Sequence, residues 1–349
     1  MTHARAAHAV AATLAAAVSL GAGQRAAPPP YEVAGRVPDR VDGQPFRTFS
    51  CDPGAGRVYL GSDRGVFWID LADPTRIKGP AFRKDVYKIE FAENINRLFY
   101  YTDAEVGYVD AANLGSPVPL AVGLRALDLA YEPTRRELYV ATRAPYLTVF
   151  DAASGERTRI PLPGWFASSL EAAPGRVYVN VSPKTPIYLV EAATHRVAPW
   201  PVVGALSTPG YLEADPAGRY LFVAYDRYVS AIDASTATVI GRIVAPRPIS
   251  IAFDPGSRLL LASWEDSDLQ PAEVVALRAY RVDAGGLTEV ARLTNPANGF
   301  VGLEPAYRGF LQRGAASLIV WALREPAGAP AGSRPPPVPA PAPGRRSVR

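Results

Sequence analysis

Arg136-Glu137-Leu138-Tyr139-Val140-Ala141-Thr142, followed after a short break by Leu147-Thr148-Val149-Phe150-Asp151, is one copy of a pattern that runs through most of this 349-residue chain. An arginine introduces an apolar strand rich in Tyr and Val, and a second strand closes on an acid. The arginines recur at Arg57, Arg97, Arg136, Arg176, Arg219 and Arg258, with spacings of 40, 39, 40, 43 and 39. The acids recur at Asp70, Asp110, Asp151, Glu191, Asp233 and Asp283, with spacings of 40, 41, 40, 42 and 50. A period visible in two registers means stacked or circular units, each burying its apolar face against the next.

Within a unit the pattern predicts four short strands. In the sixth copy these are Ile249 to Phe253, Arg258 to Ser263, Val274 to Val282 and Leu287 to Leu293. The first junction carries turn chemistry, as in Asp52-Pro53-Gly54, Glu132-Pro133-Thr134 and Asp215-Pro216-Ala217-Gly218. Proline pre-sets φ at the second turn position, and the acid accepts backbone N–H bonds. The strands are rich in Tyr, Val, Phe and Ile, and no helical periodicity is sustained in the body. Such units either stack in a line or close in a ring; a ring leaves only short, protected edges. Six units are clear, and a seventh, Phe300 to Leu323, lacks an outer strand. Tyr31-Glu32-Val33-Ala34-Gly35-Arg36-Val37 matches Ala237-Thr238-Val239-Ile240-Gly241-Arg242-Ile243, an outer strand of the fifth unit. The expectation is therefore an all-β, seven-bladed β-propeller of four-stranded antiparallel blades over residues 31–323, closed by an N-terminal strand that completes the last blade.

The two ends differ from this body. Arg5 and two histidines precede an apolar run, Ala9 to Leu20, with small residues at Gly21, Ala22 and Gly23; this reads as a secretory signal over residues 1–23 and is too short to span a membrane. Residues 326–349 are almost entirely Pro, Ala, Gly and Arg, a composition that cannot bury enough surface to fold. An exported protein, periplasmic or extracellular, follows from the leader. With Cys51 as the single cysteine no internal disulfide forms, so packing and sheet closure hold the domain together. Cys51 takes the place of Phe253 in a later repeat and reads as a small core filler.

The net charge of +4 comes from the ends. Without Arg5, Arg334, Arg345, Arg346 and Arg349, 32 basic residues face 33 acidic ones, which gives no support to a broad nucleic-acid surface.

Tyr139-Val140-Ala141-Thr142, Tyr178-Val179-Asn180-Val181 and Phe222-Val223-Ala224-Tyr225, with the acid-ending Leu147-Thr148-Val149-Phe150-Asp151 and Val229-Ser230-Ala231-Ile232-Asp233, resemble the repeats of the YVTN family of seven-bladed β-propellers. The resemblance covers residues 31–323. It implies an often exported fold whose relatives include surface proteins, ligand binders, subunits of periplasmic redox enzymes and lactone hydrolases, and fold alone does not choose among these.

Departures from the repeat mark where function would lie. The sixth unit carries the longest insertion, Ser263-Trp264-Glu265-Asp266-Ser267-Asp268-Leu269-Gln270-Pro271-Ala272-Glu273, in a loop class expected around one mouth of the channel. Its counterparts offer Asp63 and Arg64, Asp103 and Glu105, Arg143, Lys184, and Asp226 and Arg227, with Tyr146, Tyr225, Tyr228 and Trp264 as aromatic companions. The candidate binding set is Asp63, Asp103, Arg143, Lys184, Asp226, Trp264, Glu265, Asp266 and Asp268. Such a ring suits a small polar ligand or a partner's loop, although exposed loops are usually charged and a solvated rim has the same composition. No haem or zinc pattern is present, and no cofactor is expected. A divalent cation in the channel is the alternative: the propeller hydrolases hold one with carboxylates and an Asn, and Asp128, Glu171, Glu213 and Asn180 are available here. The leading expectation is a monomeric, non-catalytic binding or scaffolding protein. A metal-dependent lactone or ester hydrolase, or the non-catalytic large subunit of a periplasmic oxidoreductase, stands second.

Overall fold

The computed structural model describes residues 31–323 apart from 165, 183–186, 202–210, 226, 246–247, 256, 266–274, 294–302, 307–308 and 314–316. The expected leader, residues 1–23, and the tail, residues 326–349, lie outside the described residues. The fold is an all-β propeller of four-stranded antiparallel blades.

Six blades are each made of four consecutive strands. Blade 1 runs Thr48–Asp52, Arg57–Ser62, Gly65–Asp70 and Asp73–Phe82, and blade 2 runs Lys88–Ala92, Arg97–Tyr101, Glu105–Asp110 and Asn113–Val122. Blades 3 to 6 open with the inner strands Ala126–Glu132, Phe166–Ala173, Tyr211–Ala214 and Pro248–Asp254. A further four-stranded sheet is shared between the two ends of the described chain. Leu303–Ala306, Gly309–Arg313 and Ser317–Leu323 lie in order, and the strand Tyr31–Pro38 pairs antiparallel with the last of them, Tyr31 opposite Leu323 and Pro38 opposite Ser317. Seven blades were expected from the sequence; the structure shows six of consecutive strands, because the remaining strands of the described chain pair across its two ends as this shared sheet. Its inner strand lies between those of blades 6 and 1, and every other inner strand adjoins that of the next blade. The Tyr31 hydroxyl donates to Asp254 Oδ2 at 3.0 Å, fastening the N-terminal strand to the first turn of blade 6.

The repeat is written in side-chain size as well as in strand pattern. The third residue of each second strand is large and apolar: Tyr59, Phe99, Tyr139, Tyr178, Phe222 and Leu261, all fully buried between blades. Burying each stabilises the fold by roughly 1.5–3 kcal/mol, an upper estimate because an unfolded chain already hides some apolar area. The acids at the ends of the third strands make the turns that follow. Asp110 accepts the Ala112 N–H, Asp151 those of Ala153 and Ser154, and Asp233 those of Ser235 and Thr236.

The arginine register is less regular than its spacing implies. Arg57, Arg97 and Arg176 open their second strands, whereas Arg136 and Arg258 stand one residue earlier, where the chain is left-handed (φ 58° and 56°). Gly56, Asn96 and Gly175 fill that turn position in other blades, which is the residue choice the conformation favours. Among the described residues no helix is long and apolar enough to cross a membrane.

Candidate functional site

Alternation along the inner strands sends side chains to opposite faces of each blade, one set against the preceding blade and the other against the following one. Ile89, Leu129 and Leu170 are buried between blades. Lys88 and Glu90 of blade 2, Asp128 of blade 3, Glu171 of blade 4 and Glu213 of blade 5 form the other set. These five act on one another electrostatically across four blades, so they converge on the axis.

Each carboxylate of this group also holds the next blade. Glu90 accepts a backbone hydrogen bond from Tyr131 of blade 3. Asp128 Oδ1 accepts the Lys88 ammonium at 2.5 Å, and its Oδ2 accepts the Leu170 N–H of blade 4 at 2.8 Å. Glu171 Oε1 accepts the Ala214 N–H of blade 5 at 3.3 Å, and Glu213 Oε1 the Phe253 N–H of blade 6 at 3.1 Å. Between blades 1 and 2 hydroxyls do the same work: Thr48 Oγ1 accepts the Ile89 N–H and Ser50 Oγ the Phe91 N–H. An inner strand that pairs with no neighbour along its axial edge has backbone donors to satisfy, and these side chains satisfy them.

One ammonium among four carboxyls sets the electrostatics. Enclosure by the ring, reinforced by Asp128, pushes the Glu90 carboxyl up to about 7 despite the nearby Lys88. Enclosure and then Glu90 push Glu213 to about 8. Glu171 is also raised well above the ordinary carboxyl range, by enclosure and then by Glu213 and Glu90. Enclosure works against the Lys88 charge, but Asp128, Glu90 and Glu171 outweigh it and the ammonium is held more firmly than usual. Glu90, Glu171 and Glu213 remain half-buried rather than sealed from solvent. Near neutral pH the axis therefore carries both neutral carboxylic acids and carboxylates, and an added cation would displace protons from it. Among the described residues no three His, Cys, Asp or Glu side chains are gathered so as to hold a metal ion.

The sequence-derived rim set is scattered by comparison. Asp63 lies in the turn after Arg57–Ser62, 4.0 Å from Arg64, with its Oδ1 buried and without a hydrogen-bond partner. Asp103 and Arg143 occupy the equivalent turns of blades 2 and 3 and are exposed. Those three turns are held by hydroxyls the sequence reading did not single out: Ser62 Oγ accepts the Arg64 N–H, Thr102 Oγ1 that of Ala104, and Thr142 Oγ1 that of Ala144. Trp264 is not a rim residue. It is 3% exposed, packs in the core formed by blades 5 and 6, and carries the Arg278 guanidinium 4.9 Å from its ring centre. Glu265 ends the strand Leu259–Glu265, while Lys184, Asp226, Asp266 and Asp268 lie outside the described residues. Of the aromatic companions, Tyr225 is buried and Tyr146 and Tyr228 are half-buried.

The reading also missed Tyr87 and Tyr211, which directly precede Lys88 and begin the inner strand of blade 5. Both are strongly exposed, and Tyr87 stacks on Tyr101 beneath the Arg47 guanidinium. Of the four residues named for a hydrolase-like channel, Asp128, Glu171 and Glu213 are on the axis, whereas Asn180 is buried on the second strand of blade 4. Lys88 and Glu90 complete the group. The signal for Glu90, Glu171 and Glu213 was present as a glutamate three residues ahead of the first-turn position, where other blades carry Ser50, Ala130 and Ala252.

No family model matches the chain, and no curated protein matches it. Solved structures do. A chain of "Crystal Structure of Mitotic Checkpoint Complex" is similar with a TM-score of 0.63 at 12% identity, covering 87% of this chain and 96% of that one. "Structure of U3-55K" gives 0.64 at 10%, covering 83% and 99%, and "Crystal structure of RRP9 WD40 repeats" gives 0.66 at 9%, covering 84% and 100%. At such identities the likeness shows the β-propeller fold and nothing finer.

Proposed function

We propose that this chain is an exported, seven-bladed, YVTN-like propeller that binds or scaffolds a protein partner or small polar ligand at its channel mouth and performs no chemistry of its own. The sheet shared by the chain ends is the seventh blade in this reading, and the apolar run Ala9 to Leu20 is its export signal. One observation carries the non-catalytic part: the ionisable groups of the axis are committed to the fold. Asp128, Glu171 and Glu213 each accept a backbone N–H from the following blade, and Lys88 is paired with Asp128. What stays open to a partner is the rim, with Asp103, Arg143, Tyr87 and Tyr211 exposed. One of the similar structures is a chain of a mitotic checkpoint complex, which fits a scaffold but does not name a partner for this chain.

A second reading, a lactone or ester hydrolase using a carboxyl pair or a divalent cation, is favoured by one feature. Glu90 and Glu213 titrate near neutrality, where general acids and bases work. The two readings separate on protein isolated from its native exported fraction, analysed for bound metal and for copurifying proteins. The binding reading expects no stoichiometric metal and a partner whose retention is lost on Asp103→Ala with Arg143→Ala. A stoichiometric divalent cation, with ester hydrolysis abolished by Glu213→Gln, overturns it. A copurifying redox protein would make the chain the non-catalytic subunit of an oxidoreductase.

A further inference from the structure

Blade 3 sorts its charges. Three of its acids turn inward and are buried: Asp128 takes Lys88 and the Leu170 N–H, Glu132 the N–H groups of Thr134, Arg135 and Gly175, and Glu137 the Tyr139 hydroxyl. The six arginines of this stretch, Arg125, Arg135, Arg136, Arg143, Arg157 and Arg159, are all exposed. In each of the other five blades of consecutive strands an acid pairs with a cation of the same blade or of the connection into it: Arg57 with Asp70, Lys84 with Glu105, Arg196 with Glu191, Arg219 with Asp215 and Arg278 with Glu289. Among the described residues none of the six arginines makes an ion pair. The acids left on the surface of blade 3 are Asp151, engaged by the turn that follows it, and Glu156.

Two of these arginines line a groove. Arg157 and Arg159 stand two residues apart on the fourth strand, Arg157–Pro161, opposite Phe150 and Thr148, and so project from one face of it. That face is turned to blade 2, because Phe150 belongs to the core between blades 2 and 3. The Arg159 guanidinium lies 4.6 Å from the centre of the Tyr146 ring. The facing wall is the fourth strand of blade 2, Asn113–Val122. Its Val118 is 41% exposed and stands opposite Tyr108, which packs against the same core. A β-carbon on Gly155, two residues ahead of Arg157, would lie 3.5 Å from the Leu120 side chain, so the two walls meet at their base. The fourth strands of blades 1 and 2, and those of blades 5 and 6, run against one another, whereas those of blades 2 and 3 do not. The result is a groove with one apolar and one cationic wall.

We propose that this groove between blades 2 and 3 docks an extended acidic segment of a partner protein, with carboxylates on Arg157 and Arg159 and apolar side chains on Val118. Successive side chains of an extended segment point to opposite sides, so acids at alternate positions lie about 7 Å apart. That spacing matches two arginines two residues apart on a strand, and the apolar positions between them face the other wall. Each guanidinium fork takes a carboxylate through two parallel hydrogen bonds. A long polyanion is the poorer fit. The body carries 32 basic residues against 33 acidic ones, so such a chain would run from the arginines onto a surface with no excess of positive charge. The groove lies at the outer edge of the ring, which separates this contact from binding at the channel mouth.

Fluorescence anisotropy of a labelled peptide of alternating Glu and Val, titrated with the full chain at low salt, tests this. Arg157→Ala with Arg159→Ala should weaken binding about tenfold, and a peptide of alternating Lys and Val should bind wild type about tenfold more weakly or worse. Arg76→Ala with Arg227→Ala removes the same charge from exposed positions elsewhere and should leave binding within about twofold. Asp103→Ala with Arg143→Ala should do the same, since these residues belong to the rim. No binding of the acidic peptide, equal weakening by the two arginine pairs, or loss of binding in the rim variant would each overturn the proposal. Tighter binding of a sulfated polysaccharide fragment of equal charge than of the peptide would overturn it as well.

Discussion

The axis and the perimeter of this propeller use the same residue types to opposite effect. At the perimeter Asp151 and Asp233 sit in open turns and accept two or more short-range bonds from the residues that follow. Those bonds hold both carboxyls below their ordinary range. On the axis Glu90, Glu171 and Glu213 accept one backbone bond each from another blade, face one another with a single ammonium between them, and are raised. Both sets recur at the repeat period, so a carboxylate in a repeat says little until its neighbours are counted. Where donors outnumber acids the charge is an asset; where acids outnumber donors the proton stays on.

The sharpest break of this contrast is Lys88→Met. Removing the one axial cation leaves Asp128 as an uncompensated buried charge, and chemical denaturation at pH 7.5 should register a loss of about 3–5 kcal/mol. Next comes Glu213→Gln, which keeps the acceptor for the Phe253 N–H and removes the charge. The Glu213 carboxyl is raised in the fold above its unfolded value, so its favourable contribution is present in acid and is lost as pH rises through about 8. The variant should therefore gain on the order of 2 kcal/mol over wild type at pH 9 and little at pH 5.

At the perimeter the sign reverses. Asp151→Ala should cost roughly 0.5–1.5 kcal/mol at pH 7 through loss of its turn bonds. Because the folded carboxyl is depressed, that cost is constant above about pH 5 and disappears as pH falls through the folded value. Smallest of all, Asp103→Ala and Arg143→Ala should leave stability within about 0.5 kcal/mol of wild type, since both are exposed. Any loss of partner binding in them would then be a surface effect.

Much of the fold was legible because its signals are local. Strand alternation and a large third residue in each second strand recur in all six blades of consecutive strands, and an acid-proline turn in four of them. The likeness of Tyr31–Val37 to an outer strand pointed to the pairing with Ser317–Leu323. The arginine count ran slightly out of register because Arg136 and Arg258 stand in left-handed turn positions that glycine or asparagine fills elsewhere, a shift of one residue that spacing alone does not reveal. The site was less legible. Trp264 looked like part of the insertion but is the penultimate residue of its strand, packed in the blade 5–6 core, because the strand runs two residues further than the loop composition suggested. Glu90 was passed over because its blade carries Ala92-Glu93-Asn94, without the proline that stands at that turn in the other five blades of consecutive strands. Which carboxyls share an axis depends on ring closure, and no window of sequence contains it.

The most direct test of the central claim, that the axial carboxyls fasten the ring while holding protons, is the number of protons released on unfolding at pH 6. It is read from calorimetric unfolding in buffers of different ionisation enthalpy. Wild type should release roughly two to three protons, and a variant carrying Glu90→Gln, Glu171→Gln and Glu213→Gln should release close to none. Proton uptake by wild type, or equal release from both proteins, would contradict the account.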